Sequence, residues 1–96
     1  MTQGFIVCQP YASQIIHETK KEEFRTFRTI KLEEPIYLLS EGYAHGLIEF
    51  LSIREISFKN YAWEIKVLEK FKEPIPYKRK PGQQIWVKNV KLLRIS

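Results

Sequence analysis

Lys20, Glu23 and Arg25 fall within one short stretch, "KKEEFR", and together could grip an anionic, nucleotide-like ligand. Lysine brings a mobile point charge suited to phosphate, and arginine a planar fork that can also stack on a base. Glu23 could hold either cation, or accept from an exocyclic amine as carboxylates do with cytosine N4. On a strand Glu23 and Arg25 project to the same side, and Lys20 could converge on them from the end of a preceding helix. The plain alternative is an ion pair at the rim of the fold, which contributes only about 0–1 kcal/mol when exposed. Tyr11 and Trp63 offer the aromatic faces on which unpaired bases stack. Tyr11, at the start of a helix, is the better placed to line a cleft, whereas Trp63 sits on an apolar strand face and suits a core. Further on, Tyr77-Lys78-Arg79-Lys80 is the densest basic cluster. It fits either a solvated loop or contacts to a phosphate backbone, which position nucleic acid without reading its sequence.

The elements that must position these residues can be read from periodicity. "GFIVCQP" (4–10) is a short apolar run closed by Pro10 and predicts a buried strand, with Cys8 as a small core residue. Pro10 suits the first position of a helix, where its missing N–H costs nothing. In "YASQIIHET" the i, i+4 pairs Tyr11/Ile15 and Ala12/Ile16 share a face, predicting a helix of two or three turns. "KEEFRTFRT" (21–29) alternates as a strand. "EPIYLLS" (34–40) predicts another, with "EGY" as a turn, and "GLIEFLSIREI" (46–56) is apolar on both alternating faces, which suits a strand within a closed sheet. In "YAWEIKVLEKF" (61–71), Tyr61, Trp63, Ile65, Val67 and Phe71 share one face. "KEPIPYKRKPG" (72–82) reads as a loop from its prolines and glycine, and 83–95 as one or two closing strands. One early helix with five to seven strands predicts an α+β fold dominated by a strongly bent sheet or small β-barrel.

Composition narrows the classes further. The 96 residues predict one domain spanning 1–96, and the 44% apolar content suffices for a core. With one cysteine the chain forms no internal disulfide and no cysteine-based metal site. His17 and His45 lack partners at ligand spacing, so no metal is expected. No Walker loop, dinucleotide fingerprint or nucleophile elbow is present, and no cofactor is expected. No run approaches a membrane span and no leader is visible, so the expected setting is cytoplasmic, without a membrane partner. Lys and Arg number 16 against 11 acids, a net charge of +5. From Lys70 to Ser96 eight basic residues face a single acid, Glu73. Such asymmetry concentrates polyanions at a surface.

The order of Pro10-Tyr11, Ile15-Ile16, Lys20-x-x-Glu23-x-Arg25, "YAWEI" (61–65) and "FKEPIPYKRKPGQQIWV" (71–87) resembles the ASCH family of the PUA-like superfamily. The resemblance implies a small β-barrel with a short helix across one mouth and a cleft between them. Tyr11, Lys20, Glu23, Arg25 and Trp63 would line that cleft, and Lys78, Arg79 and Lys80 would follow a nucleic-acid backbone. Its implied partner is RNA or a nucleotide-like ligand. Where the family usually has glycine, two residues before the lysine, this chain has Glu18, so a tight turn must form there without glycine or the helix must run on. The resemblance also implies an alternative, hydrolysis of a modified nucleoside or RNA, with Lys20 and Glu23 as its catalytic candidates. The hydrolytic branch places a threonine where Glu23 stands, and a carboxylate cannot replace a hydroxyl nucleophile without a change of mechanism. A third reading is a protein-interaction module whose basic face meets an acidic partner.

Overall fold

The computed structural model describes residues 2–26, 33–79 and 85–93. Strand β1 (Gly4–Ile6) is followed by helix α1 (Tyr11–Ile16) and then by β2 (Glu22–Arg25), β3 (Ile36–Ser40), β4 (Tyr43–Ser57), β5 (Asn60–Pro76) and β6 (Trp86–Val87). The strands form one mixed sheet of six in the order β2-β5-β4-β3-β1-β6. Only β1 and β3 run parallel. The architecture is thus an α+β sheet with one short helix. Among the described residues the end strands β2 and β6 do not pair, so the sheet is not closed. It is strongly curled all the same. β5 and β6 are four strand positions apart, roughly 19 Å in a flat sheet, yet the rings of Trp63 and Trp86 stack with centroids 6.2 Å apart.

The concave face holds the main core: Phe5, Ile15, Ile16, Ile48, Phe50 and Trp63 pack there with α1 laid across them. A smaller cluster of Leu39, Ala44, Tyr77 and Val87 sits apart from it. Gly46 leaves room for the helix, since a Cβ there would run into the Glu69 carbonyl oxygen and Cδ1 of Ile16. The helix is one turn shorter than its pattern predicts. Pro10 stands at the N-cap, one position earlier than expected. The preceding Gln9 takes over the capping role: its Oε1 accepts from the Ser13 N–H at 3.1 Å and the Ser13 hydroxyl at 3.0 Å.

Several expectations change because the strands carry bulges. The two-faced apolarity of 46–56 reflects a phase shift, not burial on both sides. Phe50 pairs Ile65 while Ser52 pairs Glu64, leaving Leu51 as an extra residue in β4. Inward residues are even-numbered up to Phe50 and odd-numbered from Ile53, which packs on the core. A second extra residue, Leu68, lies between the Ile48–Val67 and Leu47–Glu69 pairs. It turns Phe71 away from the face of Trp63 and Val67 and into the smaller cluster. The proline-rich segment from 72 is also not a loop at its start, since β5 continues to Pro76. Proline fits because Pro74 lies in the widest bulge, between the Gly46–Lys70 and Ala44–Ile75 pairs, where no ladder N–H is needed. Lys80, Pro81 and Gly82 of that segment lie outside the described residues. Cys8 is exposed, because the apolar run ends at Val7 and the chain turns there toward α1.

Candidate functional site

The turn after α1 delivers Lys20 to the sheet. It is built as a Schellman motif: Glu18 N–H donates to the Ile15 carbonyl at 2.9 Å, and Thr19 N–H to the Gln14 carbonyl at 2.9 Å. That motif needs a left-handed residue just past the helix, and Glu18 supplies it at φ 61°. The position where the resembled family carries glycine therefore keeps glycine-like geometry with a glutamate in it. Lys20 N–H also donates to Gln14, which fixes where the lysine leaves the turn. Lys21 then accepts from Ile65 N–H and β2 pairs antiparallel with β5, Glu23 opposite Trp63 and Arg25 opposite Tyr61.

Tyr11, Lys20, Glu23 and Arg25 come together as a chain of contacts. The Lys20 ammonium lies 4.5 Å from the centre of the Tyr11 ring and 2.9 Å from Glu23 Oε1. Arg25 Nη2 meets the other carboxylate oxygen at 2.7 Å. Its guanidinium lies 4.9 Å from the centre of the Phe5 ring. Glu23 is buried, its side chain 8% exposed, while Lys20 and Arg25 keep 20% and 23% of theirs open to solvent. The carboxylate thus acts as a clamp below and two cations form the upper surface, with one positive charge uncompensated. Arg25 Nε is buried and makes no hydrogen bond among the described residues.

The other nominated residues fall elsewhere. Trp63 is fully buried, packed by Phe5, Phe50 and Trp86. It supports the floor beneath Glu23 and has no face open to a base, because its strand position points into the concave core. Lys78 and Arg79 follow the far end of β5 from the residues that pair with β2. There Lys78 N–H donates to the Lys91 carbonyl, beside a bridge between Tyr77 and Leu92. Burial pushes the Tyr77 phenol up from its ordinary value, partly offset by Arg79. Lys80 lies outside the described residues. His17 caps α1 and its Nδ1 sits 2.9 Å from Lys70 Nζ, an arrangement in which the ammonium donates to the ring nitrogen. His45 lies within β4, with Nε2 3.4 Å from the Ser40 carbonyl oxygen. Among the described residues no group of three or more His, Cys, Asp or Glu could hold a metal ion, and no helix is long and apolar enough to cross a membrane.

The hydroxyls bear on catalysis. Thr19 Oγ1 donates to the Gln14 carbonyl at 3.1 Å and is turned toward the helix end, and Thr26 lies exposed past β2. Thr29 is outside the described residues. Both oxygens of Glu23 are taken by cations. Two partly exposed cations on one engaged carboxylate leave a net positive charge at this edge of the sheet.

One residue of this neighbourhood escapes a reading of periodicity. Trp86, half-buried on the two-residue β6, has its ring 4.9 Å from that of Phe5, a ring that Arg25 also meets. A tryptophan on a strand so short leaves no alternation to reveal its direction; only the curl of the sheet brings it round. Compared with known proteins, the chain matches no family model and no curated sequence.

Proposed function

We propose that this chain is a PUA-like domain of the ASCH type that binds RNA or a nucleotide-like ligand in the cleft between α1 and the curled sheet. The observation that carries the reading is the linked set Tyr11–Lys20–Glu23–Arg25, in which a buried carboxylate holds two partly exposed cations beside an exposed aromatic ring. Preorganised cations lower the ordering cost of gripping a phosphate. Tyr11, 50% exposed, is the stacking face, and the free Nε of Arg25 is a donor in want of an acceptor. The left-handed Glu18 at the family's glycine position, and the approach of Trp86 to Trp63 that brings the sheet toward barrel closure, support the family assignment. Lys78, Arg79 and Lys80 would extend the contact along a phosphate backbone. The clamped state of Glu23 disfavours the hydrolytic reading. A titration of fluorescent single-stranded RNA across a salt series tests the proposal: affinity falls log-linearly with salt as counterions are released. Salt-independent turnover of a modified nucleoside, without RNA binding, would replace it with the hydrolytic alternative.

A further inference from the structure

The β4–β5 hairpin runs beyond the core. Past Phe50 the residues of β4 are exposed apart from the half-buried Ile53, and Phe58 and Lys59 form the tip between the paired Ser57 and Asn60. Apolar side chains that a water-facing hairpin does not need gather at this end: Phe24 and Ile56 are each at least half exposed, and Phe58 is 84% exposed. Single exposed apolar residues are ordinary, but a group of them marks an interaction surface. Between this hairpin and the end of β2 lies a cavity of about 310 Å³, lined among others by Phe24, Arg25, Ile56, Asn60 and Tyr61. Its size is at the low end of the roughly 300–1,000 Å³ typical of small-ligand sites, which suits one planar group better than a protein segment.

We propose that this cavity and the Phe58 tip form a second base subsite, reached by a single-stranded RNA that continues from the first cleft past Arg25. The inference rests on the RNA reading above and narrows it from a nucleotide to a strand. Three observations select nucleic acid as the occupant. Arg25 lines the cavity and also belongs to the Tyr11–Lys20–Glu23 set, so the two sites share one residue. Among the described residues it is the sole charged one lining the cavity, and the Lys59 ammonium lies 5.4 Å from the centre of the Phe58 ring, which puts positive charge beside the apolar surface. Asn60 donates from Nδ2 to Ser57 Oγ at 2.8 Å and to the Phe58 carbonyl, leaving its amide oxygen as an acceptor at the rim for a base N–H. Aromatic faces with cations alongside are the usual means of holding an unpaired strand without regard to sequence.

The test compares wild type with Phe58→Ala and Asn60→Ala, using uridine monophosphate and an oligouridylate of about eight nucleotides as probes. Phe58 is so exposed that its truncation leaves the fold intact, and Asn60→Ala removes the proposed acceptor separately. The expected result is about a tenfold loss of oligomer affinity in Phe58→Ala, the effect of removing one stacking platform, with the mononucleotide affinity unchanged. Equal oligomer binding by wild type and both variants, with the mononucleotide still bound, would overturn the second subsite and leave the first cleft standing. Parallel loss of both probes in Phe58→Ala would also overturn it. Absence of binding by either probe to wild type would remove both readings.

Discussion

Glu23 is the residue on which the candidate site turns. It sits between two cations on the edge strand, buried, and each of its oxygens is used. Replacing it by glutamine keeps the shape and removes the charge, leaving Lys20 and Arg25 as neighbouring cations with little to separate them. The loss is less than for a fully buried pair, because both cations reach solvent. The expected cost of Glu23→Gln is about 1–2 kcal/mol, read as a Tm lowered by roughly 4–16 °C in a domain of this size. A variant as stable as wild type would show that the clamp is incidental. At this scale the sequence was informative: Lys20, Glu23 and Arg25 could be paired from residue type and spacing, because a strand places i and i+2 on one side. Trp63 was as legible as a core residue. Trp86 was not, since its partner ring comes from a strand four positions away in the sheet.

At the scale of elements, the turn between α1 and β2 decides whether the site assembles. A non-glycine residue in the left-handed region costs about 1–2 kcal/mol, and Glu18 bears that cost at φ 61°. Glycine relieves it while giving up some chain entropy, about 0.5–1 kcal/mol. Glu18→Gly should therefore stabilise the protein by about 0.5–1 kcal/mol in denaturant unfolding. A destabilised variant would mean that the glutamate side chain makes a contribution of its own. The same scale explains what the sequence concealed. The strands were legible as strands apart from the end of β5 past Phe71, but Leu51 and Leu68 each insert one residue, and every side chain beyond a bulge changes face. Alternation counted straight through a bulge assigns Phe71 to the wrong cluster. Likewise, prolines that would break a regular ladder fit β5 because a bulge takes Pro74 out of it. The length of α1 was overestimated because its apolar face ends in a left-handed turn that no glycine advertises.

For the whole molecule, the two ends of β5 differ in character. One end meets β2 and the candidate cleft; the other carries Tyr77, Lys78 and Arg79 against the segment around Leu92. Tyr77 ties that second end to the stability of the fold. Its phenol is raised by burial, so the folded state holds the proton more tightly than the unfolded chain does. The resulting stability is complete below the ordinary phenol value of about 10 and is lost as pH rises through the folded-state value. Denaturant unfolding measured from neutral to strongly alkaline pH should show that decline, and Tyr77→Phe should flatten it relative to wild type. An identical alkaline slope in the variant would place the loss elsewhere. The curled, open sheet was legible only in outline: periodicity gave strands and one helix, whereas the strand order and the approach of β6 to β5 depend on contacts between distant segments. The central claim concerns the cleft, and the most direct measurement is the affinity of wild type and Arg25→Lys for a short single-stranded RNA at low salt. Arg25→Lys keeps the positive charge and loses the planar fork. The account predicts salt-sensitive binding by wild type that weakens about tenfold in the variant. Binding of equal strength by both proteins, or none by wild type, would contradict it.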